Sequence, residues 1–350
     1  MADSIKRRDF IKTASIIGAT FAIINPVSAK TFLHDDDDEI KNNYFTVSFN
    51  KKKGTINIFR NSGIPLLIGG TVCVNSNAGK HSIASGIYEH TIHSTTFNDQ
   101  IGNGKRLLIF SKDHEHKLDF EIHVSLYDQL EAITIEAICK NVSKKDILIK
   151  SIEPIRVLKN EGGMLSMPGV SKCITNGAMY YNAGTLHEFG TDYKIENDIK
   201  GVKLSNDSIS SSNETINSWW NAGLFSGYDK EGFVIGYLEN KSGLGQLLIS
   251  KTSQNEISFL AESVYDPQTI LQPDKTITSD RFMINIAANP YSALENYAQA
   301  VGVLQHARTT SIINGWCSWF YTLSQVSENE VVLNTKFASE NLKQFGLEYI

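Results

Sequence analysis

A mainly β protein is what this sequence predicts: a large N-terminal β-sandwich, one helix after it, and a single βα unit beyond. Three observations lead there. From Tyr44 to Ile286 the chain is a succession of short runs in which apolar and polar residues alternate, separated by turn-forming residues. Asn289-Pro290 then closes the strand pattern and opens a helical one. Finally, the aromatic stretch Asn314-Gly315-Trp316-Cys317-Ser318-Trp319-Phe320-Tyr321 follows the apolar pair Ile312-Ile313 and precedes the helix-capping signal Ser327-Glu328-Asn329-Glu330. At 350 residues the chain exceeds the comfortable size of one core, so two domains are expected.

The first 29 residues stand apart. Lys6-Arg7-Arg8-Asp9-Phe10-Ile11-Lys12 precedes a modestly apolar run from Ile16 to Ile24 and then Val27-Ser28-Ala29. This order resembles a twin-arginine export signal cut after Ala29, and the apolar run falls short of the roughly 20 residues a membrane anchor needs. The expectation is an exported, periplasmic bacterial protein with no membrane contact once residues 1–29 are removed. The alternative is a buried N-terminal helix or an uncleaved anchor. The formal charge is −5, and residues 1–29 carry four basic and two acidic side chains, so the remainder stands at −7. That leaves no basic surplus for nucleic acid or anionic membrane. Residues 30–42 contain the acidic block Asp35 to Glu39 and read as a solvated linker, because adjacent carboxylates without a turn glycine do not converge on calcium. Cys73, Cys139, Cys173 and Cys317 lie far apart, with neither zinc-ligand nor disulfide-scaffold spacing.

Residues 43–288 form the expected sandwich. Phe45, Val47 and Phe49 alternate, Lys51 to Gly54 make a turn, and Ile56 and Ile58 resume the alternation, which reads as a hairpin. Similar runs follow at Leu66 to Val74, Leu107 to Phe110, Phe120 to Leu126, Ala132 to Ile138 and Ile147 to Leu158. Glu161 to Asn217 has long-loop composition, most polar from Ser205 to Asn213. Strands resume at Trp219-Trp220, Gly232 to Leu238, Gly245 to Ile249, Ile257 to Ala261 and Thr276 to Ile286. Residues 289–309 hold one helix, with Leu294, Tyr297, Ala298 and Val301 on its apolar face. In 310–350, Val331, Val332, Ala338, Leu342 and Phe345 recur at helical spacing, Gly346 supplies a left-handed stop, and Tyr349-Ile350 begin a second, parallel strand.

Few residues point to chemistry. His90 with His93 and His114 with His116 are candidate metal pairs, but no defined third ligand accompanies either, so no metal and no cofactor are expected. Neither a phosphate-binding glycine loop nor a G-x-S-x-G elbow occurs. Aromatic residues give the better signal. A flat ring in a cleft stacks on the apolar face of a sugar while polar neighbours hold its hydroxyls, and Trp316, Trp319, Phe320 and Tyr321 at a strand end fit that pattern. Trp219 and Trp220 fit it less closely, since strand alternation would turn one inward and the other outward, which core packing explains better than ligand contact.

Gly315-Trp316-Cys317-Ser318-Trp319-Phe320, Val326 to Val331, and Asn341-Leu342-Lys343-Gln344-Phe345-Gly346-Leu347-Glu348-Tyr349-Ile350 together resemble the opening of the catalytic barrel in glycoside hydrolase family 36. This is the melibiase type of α-galactosidase, with raffinose-synthase-like relatives. The resemblance covers about forty residues closely and implies a supersandwich, a linker helix and the first βα unit of a (β/α)8 barrel. It also implies that Trp319 and Phe320, with Trp316 beside them, line the pocket for an α-galactoside. The family's aspartate nucleophile and acid/base come from later strands, so no catalytic residue is assigned in this chain. The expectation is an N-terminal fragment, inactive alone, of an exported retaining α-galactosidase-like hydrolase. Two alternatives remain open: a non-catalytic carbohydrate-binding β-sandwich protein, or a galactosyl-transferring enzyme of the raffinose-synthase type.

Overall fold

The computed structural model describes residues 38–177, 185–190, 215–227, 229–253, 255–308 and 314–350. The expected signal, residues 30–37 of the linker, Ser205 to Asn213 and Ile312-Ile313 lie outside them.

The chain builds two antiparallel sheets and passes repeatedly from one to the other. The first sheet begins with β1 (Asp38–Lys41), β2 (Phe45–Asn50), β3 (Thr55–Arg60), β4 (Pro65–Ser76) and β5 (Gly79–Ser82). The second opens with the meander β6 (Tyr88–Asn98), β7 (Asn103–Asp113), β8 (Leu118–Tyr127) and β9 (Ala132–Asn141). The chain returns to the first sheet for β10 (Ile147–Val157) and β11 (Met164–Ser166), and to the second for β12 (Lys172–Thr175) and β13 (Thr185–Glu188). It crosses again for β14 (Thr215–Trp219), then β15 (Asn221–Phe225) and β16 (Gly232–Tyr237). Last come β17 (Leu244–Ser253) and β18 (Glu256–Leu271) in the first sheet, β19 (Thr276–Thr278) and β20 (Phe282–Ala287) in the second.

Spatially the first sheet runs β1-β2-β3-β4-β10-β18-β17-β14 and the second β13-β12-β15-β16-β20-β9-β8-β7-β6. The alternation explains why they stack. Phe49, Ile58, Val74, Ile152 and Phe259 point from the first sheet into one continuous core, where they meet Ile109, Ile122, Ile135, Phe233 and Ile284 of the second. Each fully buried side chain of this kind contributes about 1.5–3 kcal/mol. The expected hairpin at residues 45–58 is present as β2 and β3, with Gly54 at φ 62° in its turn.

Four sequence expectations need correction. Asp38–Lys41, at the end of the expected linker, pairs with β2 from Asp38↔Phe49 to Lys41↔Thr46. The stretch from Glu161 to Asn217 is not all loop, since β11, β12, β13 and most of β14 lie within it. Their runs of three to five residues are too short to show a period. The run Thr276 to Ile286 is broken into β19 and β20, both on β9, because Asp280 turns aside to cap residues 241–243. Finally, α1 (Pro290–Leu304) buries Ala293, Tyr297, Ala300 and Leu304, while Ala298 is exposed. Small residues let this helix lie close on the outer face of the second sheet, against Val234, Met283 and Ala287. Asn289 caps it by accepting the Ser292 N–H at 2.9 Å.

Candidate functional site

The aromatic stretch belongs to a βα unit closed by a parallel bridge. Gly315 pairs with Tyr349 in parallel register. Trp316 donates its N–H to the Tyr349 carbonyl at 3.0 Å, and the Asn314 carbonyl accepts from Glu348 and Tyr349 at 2.9 and 3.2 Å. The strand, helix, strand order is therefore parallel, as expected. A Cβ at position 315 would be a tight fit, 3.1 Å from the Tyr349 carbonyl oxygen.

Between the two strand segments the Ser318 carbonyl accepts the N–H groups of Tyr321 and Thr322 and the Thr322 hydroxyl, which winds α2 (Trp319–Thr322). Leu323 leaves that turn with a left-handed φ of 51°. Ser327 then caps α3 (Glu328–Asn341), accepting the Glu330 N–H at 3.3 Å. The return bond from the Glu330 carboxylate is not formed, so only half of the expected capping box is present. Gly346, at φ 93°, ends the following 3₁₀ turn.

Of the three expected sugar-facing residues, Trp316 is half-buried, Trp319 is 52% exposed and Phe320 is 91% exposed. Tyr321 stands out beside them. The α3 stripe is equally open, for Val332, Leu333, Phe337, Leu342 and Phe345 are exposed and only Ala338 is buried. An open cavity of about 430 Å³ lies between α3 and the second strand segment, walled by Ala338, Ser339, Lys343, Leu347, Glu348 and Ile350 among others. None of the aromatic residues of the stretch lines it.

Buried carboxylates of the sandwich are occupied in holding loops and strands. Asp113 accepts the N–H groups of Glu115, Lys117 and Leu118, which fixes the hairpin tip carrying the exposed His114 and His116. Glu153 accepts from Asn75 at 2.8 Å and Arg156 at 3.1 Å. His90 and His93 face opposite sides of β6: His90 Nδ1 lies 2.8 Å from the Ser111 hydroxyl, whereas His93 packs edgewise on Phe110. Among the described residues no group of three or more His, Cys, Asp or Glu converges as a metal site. Cys73, Cys139 and Cys173 are buried free thiols, and burial pushes Cys73 up to about 12. Cys317 is free and exposed.

Trp219 and Trp220 depart from the expected in-and-out alternation. Trp219 ends β14, but Trp220 is the turn residue between β14 and β15, at φ 66°. That left-handed residue breaks the two-residue period, and both indoles are half-buried with ring centroids 6.4 Å apart.

No protein-family model and no curated protein matches the chain. Solved structures do. The chain is similar to the crystal structure of the α-galactosidase from Lactobacillus brevis, with a TM-score of 0.54 and 11% identity over 89% of this chain and 48% of that one. It is also similar to a variant of the GH36 α-galactosidase AgaA from Geobacillus stearothermophilus in complex with stachyose, with a TM-score of 0.53 and 10% identity, covering 89% of this chain and 49% of that one. The galactosidase domain of the α-galactosidase-sucrose kinase AgaSK gives a TM-score of 0.53 at 11% identity, covering 86% and 48%. The chain thus spans about half the length of these proteins. What this likeness establishes is architecture: the chain has the fold of the N-terminal β-sandwich region of glycoside hydrolase family 36 α-galactosidases.

Proposed function

We propose that this chain is the N-terminal part of an exported α-galactosidase-like glycoside hydrolase, made of its sandwich, linker helix and first βα unit of a (β/α)8 barrel. One observation supports the reading most. A parallel βα unit with an uncovered apolar helix face and an aromatic strand end follows a sandwich whose fold is that of α-galactosidases about twice as long. A single parallel strand pair needs further strands and helices to cover it.

In this reading Trp319 and Phe320, with Trp316, form the first wall of a pocket for a terminal α-galactosyl group. Their rings stack on the apolar face of the sugar. The two carboxylates of a retaining double displacement must stand about 5–5.5 Å apart across the bond, and in a barrel they come from other strand ends. The chain of residues 1–350 is therefore inactive alone. Residues 1–29 direct export and are removed after Ala29.

The nucleotide sequence downstream of codon 350 tests this directly. An open reading frame encoding further strands with aspartates at their C-terminal ends is expected, and a natural stop codon after Ile350 would refute the proposal. Acceptor selectivity of the longer product separates hydrolysis from galactosyl transfer. Should the stop codon be present, saturable sugar binding by the chain alone would identify the non-catalytic binding protein instead.

A further inference from the structure

Trp219 and Trp220 lie outside the aromatic stretch of residues 314–321, and the fold holds one of them against its preference. A left-handed φ is a conformation that a bulky residue adopts only when its surroundings impose it. Here they do. Trp220 donates its N–H to the Gly245 carbonyl of β17 at 2.9 Å and accepts the Tyr237 N–H of β16 at 2.7 Å, so its backbone is tied to both sheets. Tyr237 is fixed in turn by the Tyr297 hydroxyl of α1, which donates to its carbonyl. A glycine would make the same two backbone bonds without strain, so the backbone does not explain the indole.

Neutral amides lie beside the paired indoles in sequence and register. Asn176 donates to Asn221 Oδ1 at 2.8 Å. Gln246, the cross-strand neighbour of Trp219, donates to Asn217 Oδ1 at 3.0 Å. Its other amide atom, Oε1, is buried without a hydrogen-bond partner, in a side chain 1% exposed. Glu262, the nearest carboxylate in register, lies one strand further in and has Asn75 as a donor at 3.5 Å. Two indoles flanked by amides match a ring with an apolar face and hydroxyls at its edge. A purely apolar ligand would leave the amides unmatched.

We propose that the Trp219–Trp220 corner is a carbohydrate-binding subsite of the sandwich itself, which stacks a pyranose ring on the paired indoles and directs its hydroxyls to Asn176 and Asn221, both half-buried. The ligand class follows from these side chains and does not rest on the barrel reading.

Titration of the 350-residue chain with galactose, glucose and raffinose, followed by calorimetry and tryptophan fluorescence, tests it. At least one sugar should bind saturably at millimolar concentration. Trp220→Gly should weaken that binding at least tenfold while leaving the melting temperature no lower than the parent's, because it relieves the left-handed strain. Trp219→Ala, at a regular strand position, should weaken binding to the same extent and decides the matter if Trp220→Gly does not fold. Absence of binding by the parent chain, or unchanged affinity in the variants, overturns the proposal. Binding that disappears with Trp319→Ala and survives Trp220→Gly overturns it too, while leaving the barrel reading intact.

Discussion

His123 lies between two carboxylates on the outer face of the second sheet, with Glu121 at 2.7 Å on one ring nitrogen and Glu136 at 3.5 Å on the other. Hydrogen bonding to the Glu136 carboxylate raises its pKa most; burial opposes the rise and Glu121 adds to it. Folding therefore favours the imidazolium. Its contribution is fully present below the ordinary value of 6.5 and is lost as pH rises through the raised folded value. His123→Gln should flatten the decline of melting temperature above about pH 6.5; curves that stay parallel to the parent's would contradict this. Asp280 acts through geometry alone. It is 1% exposed and accepts the N–H groups of Lys241, Ser242 and Gly243. A hydrogen bond to a charged acceptor is worth about 1.5–3 kcal/mol, so Asp280→Ala should cost at least about 2 kcal/mol, read from the urea midpoint. Neither role was legible in the sequence, because the capped loop lies about forty positions upstream of Asp280. Ser327 was legible, since a helix cap and the N–H it accepts are neighbours in the chain.

Elements were legible where the alternation was regular and both sides of a strand were paired. The polar strand β6 was not, because it is an edge strand of the second sheet with most of its side chains in water. Its histidines read as candidate ligands in the sequence, and the structure shows them on opposite faces of one strand. The helix α1 was legible as a helix from Asn289-Pro290, but its buried face was displaced, because Ala293 and Ala300 pack by being small and not by being strongly apolar. That assignment has a paired test. Ala300→Glu would bury a carboxylate in the cluster of Val234, Met283 and Leu304, costing several kcal/mol. Ala298→Glu, on the exposed side, should stay within about 0.5 kcal/mol of the parent in thermal unfolding. Equal losses in the two variants would mean that the helix docks by another face.

For the whole molecule, the apolar side chains of the sandwich are packed in a core and most of those in the βα unit are exposed. Among the described residues every strand pairing within the two sheets is antiparallel, and the one parallel bridge is Gly315↔Tyr349. Phe320 contacts little protein, so Phe320→Ala should change the stability of this chain by less than about 0.5 kcal/mol. Its loss should be felt only when the rest of a pocket surrounds it. This is also why the proposed site was legible in part: Trp319 and Phe320 lie in one continuous motif, whereas under the proposal the walls opposite them would come from other barrel strands. The open face of α3 should bind a hydrophobic dye in the 350-residue chain, and much less in a longer product that covers it. The most direct measurement is hydrolysis of an aryl α-galactoside by the product of the gene read beyond codon 350, beside its Trp319→Ala variant and the 350-residue chain. Turnover with retained anomeric configuration by the longer protein, a KM at least tenfold higher in the variant, and no turnover by the short chain are expected. A longer protein that neither hydrolyses nor transfers α-galactosyl groups would contradict the proposed activity.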